Sequence, residues 1–261
     1  MRLLRHFARA AALAWLLAPS VPVWAEPAPL VAAASDLKFA LEEIAAKFRA
    51  ETGRDVTLVF GSSGNFTRQI EQGAPFRLFL SADEGYVRRL AEKSLTVDDG
   101  TLYAVGRIVL FAPHGSPLKP EAGLEGLRAA LRANRVARFA IANPEHAPYG
   151  RAAMQALGHA GLADEIRPRL VLGENVSQAA QFAVSAAQGG IFAYSLALAP
   201  EVSKQGSFAL IPAEWHEPLR QRMVLLKGAD ATARDFYAFL QARPAREIFI
   251  RYGFALPGEG S

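Results

Sequence analysis

The stretch LVAAASDLKFALEEIAAKFRAETG, residues 30–53, decides the fold. Leu30–Ala34 is a short apolar strand. Leu37, Leu41, Ile44 and Phe48 then recur at helical spacing, and Gly53 stands where a helix would stop. Strand, small polar turn and helix make one βα unit, and the chain repeats that unit nearly to its end. Val56–Phe60, Leu78–Leu80 and Tyr103–Ala112 read as strands, the last a single long one ending at Pro113. Phe66–Glu71 and Glu84–Glu92 read as helices, the first stopping at Gly73. A second series runs through helix Leu124–Leu131, strand Arg138–Ala142, helix Arg151–Leu157, strand Leu170–Leu172, helix Gln178–Ala187 and strand Ile191–Tyr194. Phe208–Ile211 and Arg220–Leu226 are further strands, and Thr232–Gln241 and Ala245–Arg251 are closing helices. The alternation predicts an α/β fold with largely parallel sheets. No internal sequence repeat is visible. Divisions near residues 103–112 and 220–227 predict two α/β lobes joined by two crossover strands, with a ligand cleft between them. Lobe 1 is expected to comprise residues 26–107 and 224–261, and lobe 2 residues 108–223.

The N-terminus sets the compartment. Arg2, Arg5 and Arg9 precede an apolar run, Ala10–Ala18, that is too short to span a membrane. Val23-Trp24-Ala25 then places small residues at the −3 and −1 positions of a cleavage site before Glu26. Residues 1–25 therefore read as a secretory signal peptide, and the mature chain is expected in a bacterial periplasm. The apolar fraction is 51%, enough for a sizeable core. The formal net charge of +4 misleads, because three Arg and no acidic residues leave with the signal. No Lys/Arg run occurs, so nucleic acid is not an expected partner. With zero Cys there is neither a disulfide nor a thiolate metal site, nor a Cys after the signal to carry a lipid. The protein is expected to be a monomer without a cofactor.

Four turns between predicted strands and helices carry the candidate chemistry: Ala34-Ser35-Asp36, Gly61-Ser62-Ser63-Gly64-Asn65, Ala147-Pro148-Tyr149-Gly150 and Glu174-Asn175-Val176-Ser177. In open parallel sheets, ligands bind beyond the carboxyl ends of the strands. Helix N-termini there present unpaired N–H groups and positive dipole ends. Small residues let an anion approach them, so several such turns around one cleft form an anion cage of neutral donors. Taken singly, each turn is better read as an ordinary helix cap; the four together, in an exported two-lobe pattern, shift the balance toward binding. Catalytic patterns are thin. Gly61-Ser62-Ser63-Gly64 is not a nucleophile elbow, and His114, His146, His159 and His216 lack helical metal spacing. A Ser/His/Asp triad stays open, because its members are distant in sequence.

These turns resemble those of the periplasmic molybdate-binding proteins of ABC transporters, over nearly the whole mature chain. The similarity lies in VAAAS (31–35) followed by LEEIA (41–45), FGSS (60–63), RQI (68–70), GAP (73–75), LFLSAD (78–83), NPEHAPYG (143–150) and EIFIRYGF (247–254), in that order and spacing. The resemblance implies a type II periplasmic binding-protein fold. It further implies molybdate or tungstate held as an oxyanion, without a metal cofactor or covalent chemistry, and delivery to a membrane permease. By position it implies that Ser35 and Ser63 each offer a hydroxyl and a backbone N–H, and that Tyr149 and Val176 offer backbone N–H groups. One family pattern has a binding Tyr on the strand near Ile191. The matching position here is Ala193, with Tyr194 one place off. Another pattern has it in the Pro-Tyr-Gly turn, so the Tyr149 hydroxyl is the expected donor and Tyr194 a lesser candidate.

Two positions depart from the family pattern. Phe76-Arg77 replaces a common Ala-Asp pair and is expected at a solvent or lobe surface. Asp36 stands where some relatives carry a donor such as Asn. An ionised carboxylate about 4 Å from a dianion costs roughly 8 kcal/mol at an effective dielectric near 20, enough to abolish useful affinity. Asp36 is therefore expected to turn aside as a helix N-cap. The alternatives are a protonated Asp36, another anion such as sulfate, or an exported hydrolase with Ser62 or Ser63 as nucleophile and a His beside it.

Overall fold

The computed structural model describes residues 27–258, so the expected signal peptide lies outside the described residues. The first lobe begins with β1 (Leu30–Ala34), a turn of 3-10 helix at Ser35–Leu37, and α1 (Lys38–Thr52). It continues through β2 (Thr57–Gly61), α2 (Ser63–Glu71), β3 (Phe76–Ser81), α3 (Glu84–Glu92) and β4 (Thr101–Gly106). The second lobe holds β5 (Ile108–Pro113), α4 (Glu125–Arg132), β6 (Phe139–Ala142), α5 (Pro148–His159), α6 (Ala163–Ile166) and β7 (Leu170–Gly173). It then adds α7 (Val176–Ser185), β8 (Gly190–Ala193), α8 (Tyr194–Leu198), α9 (Pro200–Ser203) and β9 (Gly206–Leu210). The chain returns to the first lobe with β10 (Leu219–Leu225), α10 (Ala231–Gln241) and α11 (Arg243–Arg251). Gly53 ends α1 in the left-handed conformation, φ 70°, which its missing Cβ permits.

Two five-stranded sheets result, ordered β2-β1-β3-β10-β4 and β7-β6-β8-β5-β9. Strand for strand the orders match, although the sequence shows no repeat. The sheets are mixed, which corrects the expectation of largely parallel ones. β10 runs antiparallel to β3 and β4, and β5 antiparallel to β8 and β9. Each reversed strand is the one by which the chain enters its lobe from the other.

The Tyr103–Ala112 run is two strands, β4 and β5, in different sheets, broken at Arg107. The second crossing also falls earlier than residue 224. All of β10 pairs within the first sheet, from Leu219 opposite Gly106 to Leu225 opposite Leu78, so an edge between Met223 and Val224 would cut one continuous ladder.

Strand alternation divides the first lobe into two layers. Val31, Ala33, Leu78, Leu80, Met223 and Leu225 pack with α1, α10 and α11. Ala32, Phe79 and Val224 face α2 and α3, with Phe66 and Phe76 edge to face at 5.4 Å. Phe76 is thus buried in this second layer, not at the surface, because the register of β3 against β1 shifts between Leu30 and Val31 and turns Phe76 to the face of Phe79. Phe48 of α1 meets Phe236 and Phe239 of α10 at centroid distances of 5.1 and 5.5 Å, fastening the early part of the lobe to its late part. Phe48→Ala is expected to destabilise the protein by about 3–5 kcal/mol, the usual cost of emptying a buried Phe site. Urea unfolding with an unchanged slope would check this.

Candidate functional site

The helix starts α2, α5 and α7 lie at the carboxyl ends of β2, β6 and β7, where strand direction in the two sheets brings them to the cleft. There Ser35, Asp36, Ser62, Ser63, Tyr149 and Val176 line one small pocket, closed down to a cavity of about 10 Å³. No Lys or Arg lines it. Ser63, Tyr149 and Val176 fall at the first or second positions of their helices, so their N–H groups have no intrahelical carbonyl to meet. Ser63 Oγ accepts the Ala82 N–H at 3.0 Å, which leaves its own proton available. Tyr194 is not at the pocket. It starts α8, its ring lies against Phe208 at 5.8 Å, and the strand that would have carried it ends at Ala193.

The lobes are closed on each other, and part of the donor set is consumed in holding them. Ser35 Oγ donates to Asn175 Oδ1 at 3.1 Å and accepts from the Ser177 N–H at 3.2 Å, while Ser177 Oγ donates to the Ser35 carbonyl at 2.8 Å. Its hydroxyl proton is therefore taken, contrary to expectation. Asn175, the N-cap of α7, accepts from the Gln178 N–H. Gly64 N–H donates to the His146 carbonyl at 3.0 Å. A Cβ on Gly64 would stand 2.7 Å from that oxygen, so the close approach requires glycine. At the rim Arg151 pairs with Asp83 and donates to Tyr86 OH at 3.1 Å.

Asp36 does not cap a helix. No side-chain bond caps either the 3-10 turn or α1. Its carboxylate instead lies in a buried network reaching far along the chain. Oδ2 accepts from Tyr149 OH at 3.0 Å and from Gln221 Nε2 at 2.6 Å. Gln221 Nε2 also donates to Tyr149 OH, and Tyr103 OH donates to Gln221 Oε1. Oδ1 is buried without a partner. Burial pushes the carboxyl up from its ordinary 3.8 to about 6, against the lowering pull of the Gln221 and Tyr149 hydrogen bonds. Burial, reinforced by Asp36, also holds the Tyr149 and Tyr103 hydroxyls well above 10. The single Tyr149 hydroxyl proton is thus committed to Asp36, which corrects its expected role as an anion donor and leaves the Tyr149 N–H.

A serine–histidine contact is also present. Ser62 Oγ lies 3.0 Å from His146 Nδ1, and His146 Nε2 lies 3.5 Å from Glu174 Oε2. In a hydrolytic triad the serine meets Nε2 and a buried acid holds Nδ1. Here the nitrogens are exchanged and the Glu174 side chain is 71% exposed. The pair bridges the lobes like the contacts around it.

Two like α/β lobes closed on a small pocket of donors define a solute-binding protein. The family model for bacterial extracellular solute-binding proteins matches residues 29–255. The chain is 37% identical to the molybdate-binding protein ModA of Rhodobacter capsulatus over 251 residues, 95% of each chain. It is 34% identical to ModA of Escherichia coli, over 87% of this chain and 88% of that one. The structure superposes on the periplasmic molybdate-binding protein of Azotobacter vinelandii with TM-score 0.80 and 31% identity, covering 88% of this chain and 99% of the other. The chain therefore belongs to the ModA family.

Removing the Tyr149 hydroxyl deletes one hydrogen bond that favours the ionised Asp36. Tyr149→Phe is expected to move the Asp36 titration upward from about 6. Carboxyl carbon NMR across the acid range would read the shift.

Proposed function

We propose that this protein captures molybdate, and tungstate as well, as the oxyanion and delivers it to the membrane permease of an ABC transporter. The observation that carries the reading is the convergence of helix N-termini from both lobes on one pocket without a cationic side chain. The proposed donors are the N–H groups of Ser35, Ser63, Tyr149 and Val176 and the Ser63 hydroxyl. Helix starts stabilise negative charge there. Molybdate carries no proton near neutral pH, so donors alone suit it. A protonated phosphate would bring a hydrogen that a cage of donors cannot accept. Sulfate is likewise proton-free, so the size of the pocket must exclude it. The names of the similar proteins, molybdate-binding in each case, support the same ligand.

Closure supplies the signal for delivery. With Ser35, Gly64 and Asp83 bonded across the cleft, the rims of the lobes form one surface that a permease can distinguish from an open pair. The protein acts as a monomer in this reading, its signal peptide directing it to the periplasm. The Ser62–His146 contact favours a hydrolase only in its residue types, since its geometry lacks the relay.

Calorimetry on the anion-free protein tests the ligand. Molybdate and tungstate are expected to bind one to one, with sulfate and phosphate giving no heat; four silent titrations would remove the reading. Ser63→Ala is expected to weaken molybdate roughly 10- to 100-fold, the loss of one hydrogen bond to a charged group. Gly64→Ala is expected to weaken binding with little change in melting temperature, because its methyl obstructs closure and leaves each lobe intact.

A further inference from the structure

Asp36 presents a problem that the proposed ligand sharpens. Asp36 is among the residues that line the pocket meant for a dianion, and its carboxyl is buried beside it. The surrounding hydrogen bonds show how it is accommodated. Tyr103 OH donates to Gln221 Oε1, Gln221 Nε2 donates to both Tyr149 OH and Asp36 Oδ2, and Tyr149 OH donates to Asp36 Oδ2. Those donors are thus assigned, and Oδ2 receives two of them. Oδ1 is the one oxygen left, buried and without a partner. A proton on the carboxyl has its place there, and the resulting O–H would need an acceptor.

Among the described residues, burial and hydrogen bonds act on the Asp36 carboxyl, and no cation does. The groups facing it are Tyr149 from α5, Tyr103 from β4 and Gln221 from β10, and the tyrosines stay neutral at any pH near 7. From α8, Ser195 Oγ donates to the Asp36 carbonyl at 2.7 Å, and from α7, Ser177 bonds to Ser35. Arg107, which follows β4, has its Nε buried without a hydrogen-bond partner, and the other charged side chains of the packed elements pair elsewhere. Lys38 of α1 lies over the Phe39 ring, Arg151 of α5 pairs with Asp83, and Arg220 and Arg222 of β10 pair with Glu84. Tyr194 of α8 lies against Phe208.

We propose that Asp36 enters the loaded site as the neutral acid and donates its Oδ1 proton to an oxygen of the anion, so that each dianion is captured together with one proton from solvent. The inference rests on the oxyanion reading of the pocket. In the balance, a hydrated dianion and an ionised Asp36 take up one proton and yield a closed complex in which Asp36 is a donor. The raised titration of the carboxyl in the closed protein agrees in direction, and a bound dianion raises it further. The sign follows. The closed form binds more protons than the open one, so capture is favoured at low pH and lost as pH rises through the value of the closed state.

The test is molybdate calorimetry on the whole mature protein between about pH 5.5 and pH 8.5, in buffers of differing ionisation enthalpy, with the anion too dilute to condense. The expected result is a heat that varies with buffer, corresponding to about one proton taken up per anion, and an affinity falling toward tenfold per pH unit. Asp36→Asn keeps a donor without a titration, so its profile is expected to be flat and its affinity at the alkaline end higher than that of the unaltered protein. Tight binding by the unaltered protein with no proton uptake and a flat profile would overturn the inference and leave the molybdate reading standing. A variant profile as steep as the original would also overturn it. No binding at any pH would remove the molybdate reading itself, and this inference with it.

Discussion

Closing two lobes over helix N-termini buries N–H groups that water had satisfied, and each needs a new acceptor. That constraint organises the cleft. Some groups find acceptors in the opposite lobe: Ser177 N–H on Ser35 Oγ, and Gly64 N–H on the His146 carbonyl. Others, at Ser63, Tyr149 and Val176, are left around the small pocket. In the proposed reading, closed protein and bound anion are two answers to one demand, and the site is made of what inter-lobe pairing leaves over. The absence of Lys and Arg from the lining fits a cage whose positive potential comes from backbone dipoles, which are fixed in direction and leave less conformational freedom to lose than long cationic side chains.

The sequence makes local features legible and leaves non-local ones obscure. Residues 30–53 declare strand, turn and helix, and Gly53 ends α1 where the apolar spacing stops. The turns that line the pocket can be picked out because small residues before a helix are visible in a string. What a string cannot show is which strand pairs with which. Tyr103–Ala112 is apolar on both sides of Gly106-Arg107, a pair that one strand could also carry, so its break there emerges only from the change of sheet, and β10 joins the first lobe through partners more than a hundred residues earlier. Short elements without a full period, such as α6 and α9, carry no pattern to read.

Asp36 shows the same limit at the level of one side chain. A carboxylate just before a helix is locally an N-cap, and the nearest backbone offers that role. The structure instead gives it Tyr149 and Gln221, 113 and 185 residues away, from the other lobe and from the returning strand. The Tyr149 hydroxyl, free for an anion when considered alone, is claimed by the same network. In each case a distant partner prevails over a local preference, and both partners are polar groups whose burial would be costly without each other.

The lobes also differ in how they can be assembled. The second is one unbroken segment whose five strands, β5 to β9, are all delivered before the chain turns back. The first is split. Among the described residues its edge strand β4 has β10 as its only strand neighbour, plus a bridge from Val105 to Ala255, so residues near 101–106 wait for the chain beyond 218 to hold them. The half made first is finished last, and contacts of such long sequence separation form slowly. A chain emerging from its N-terminus would therefore carry a completed second lobe beside an unfinished first one, and the cleft would come into being only with the arrival of β10.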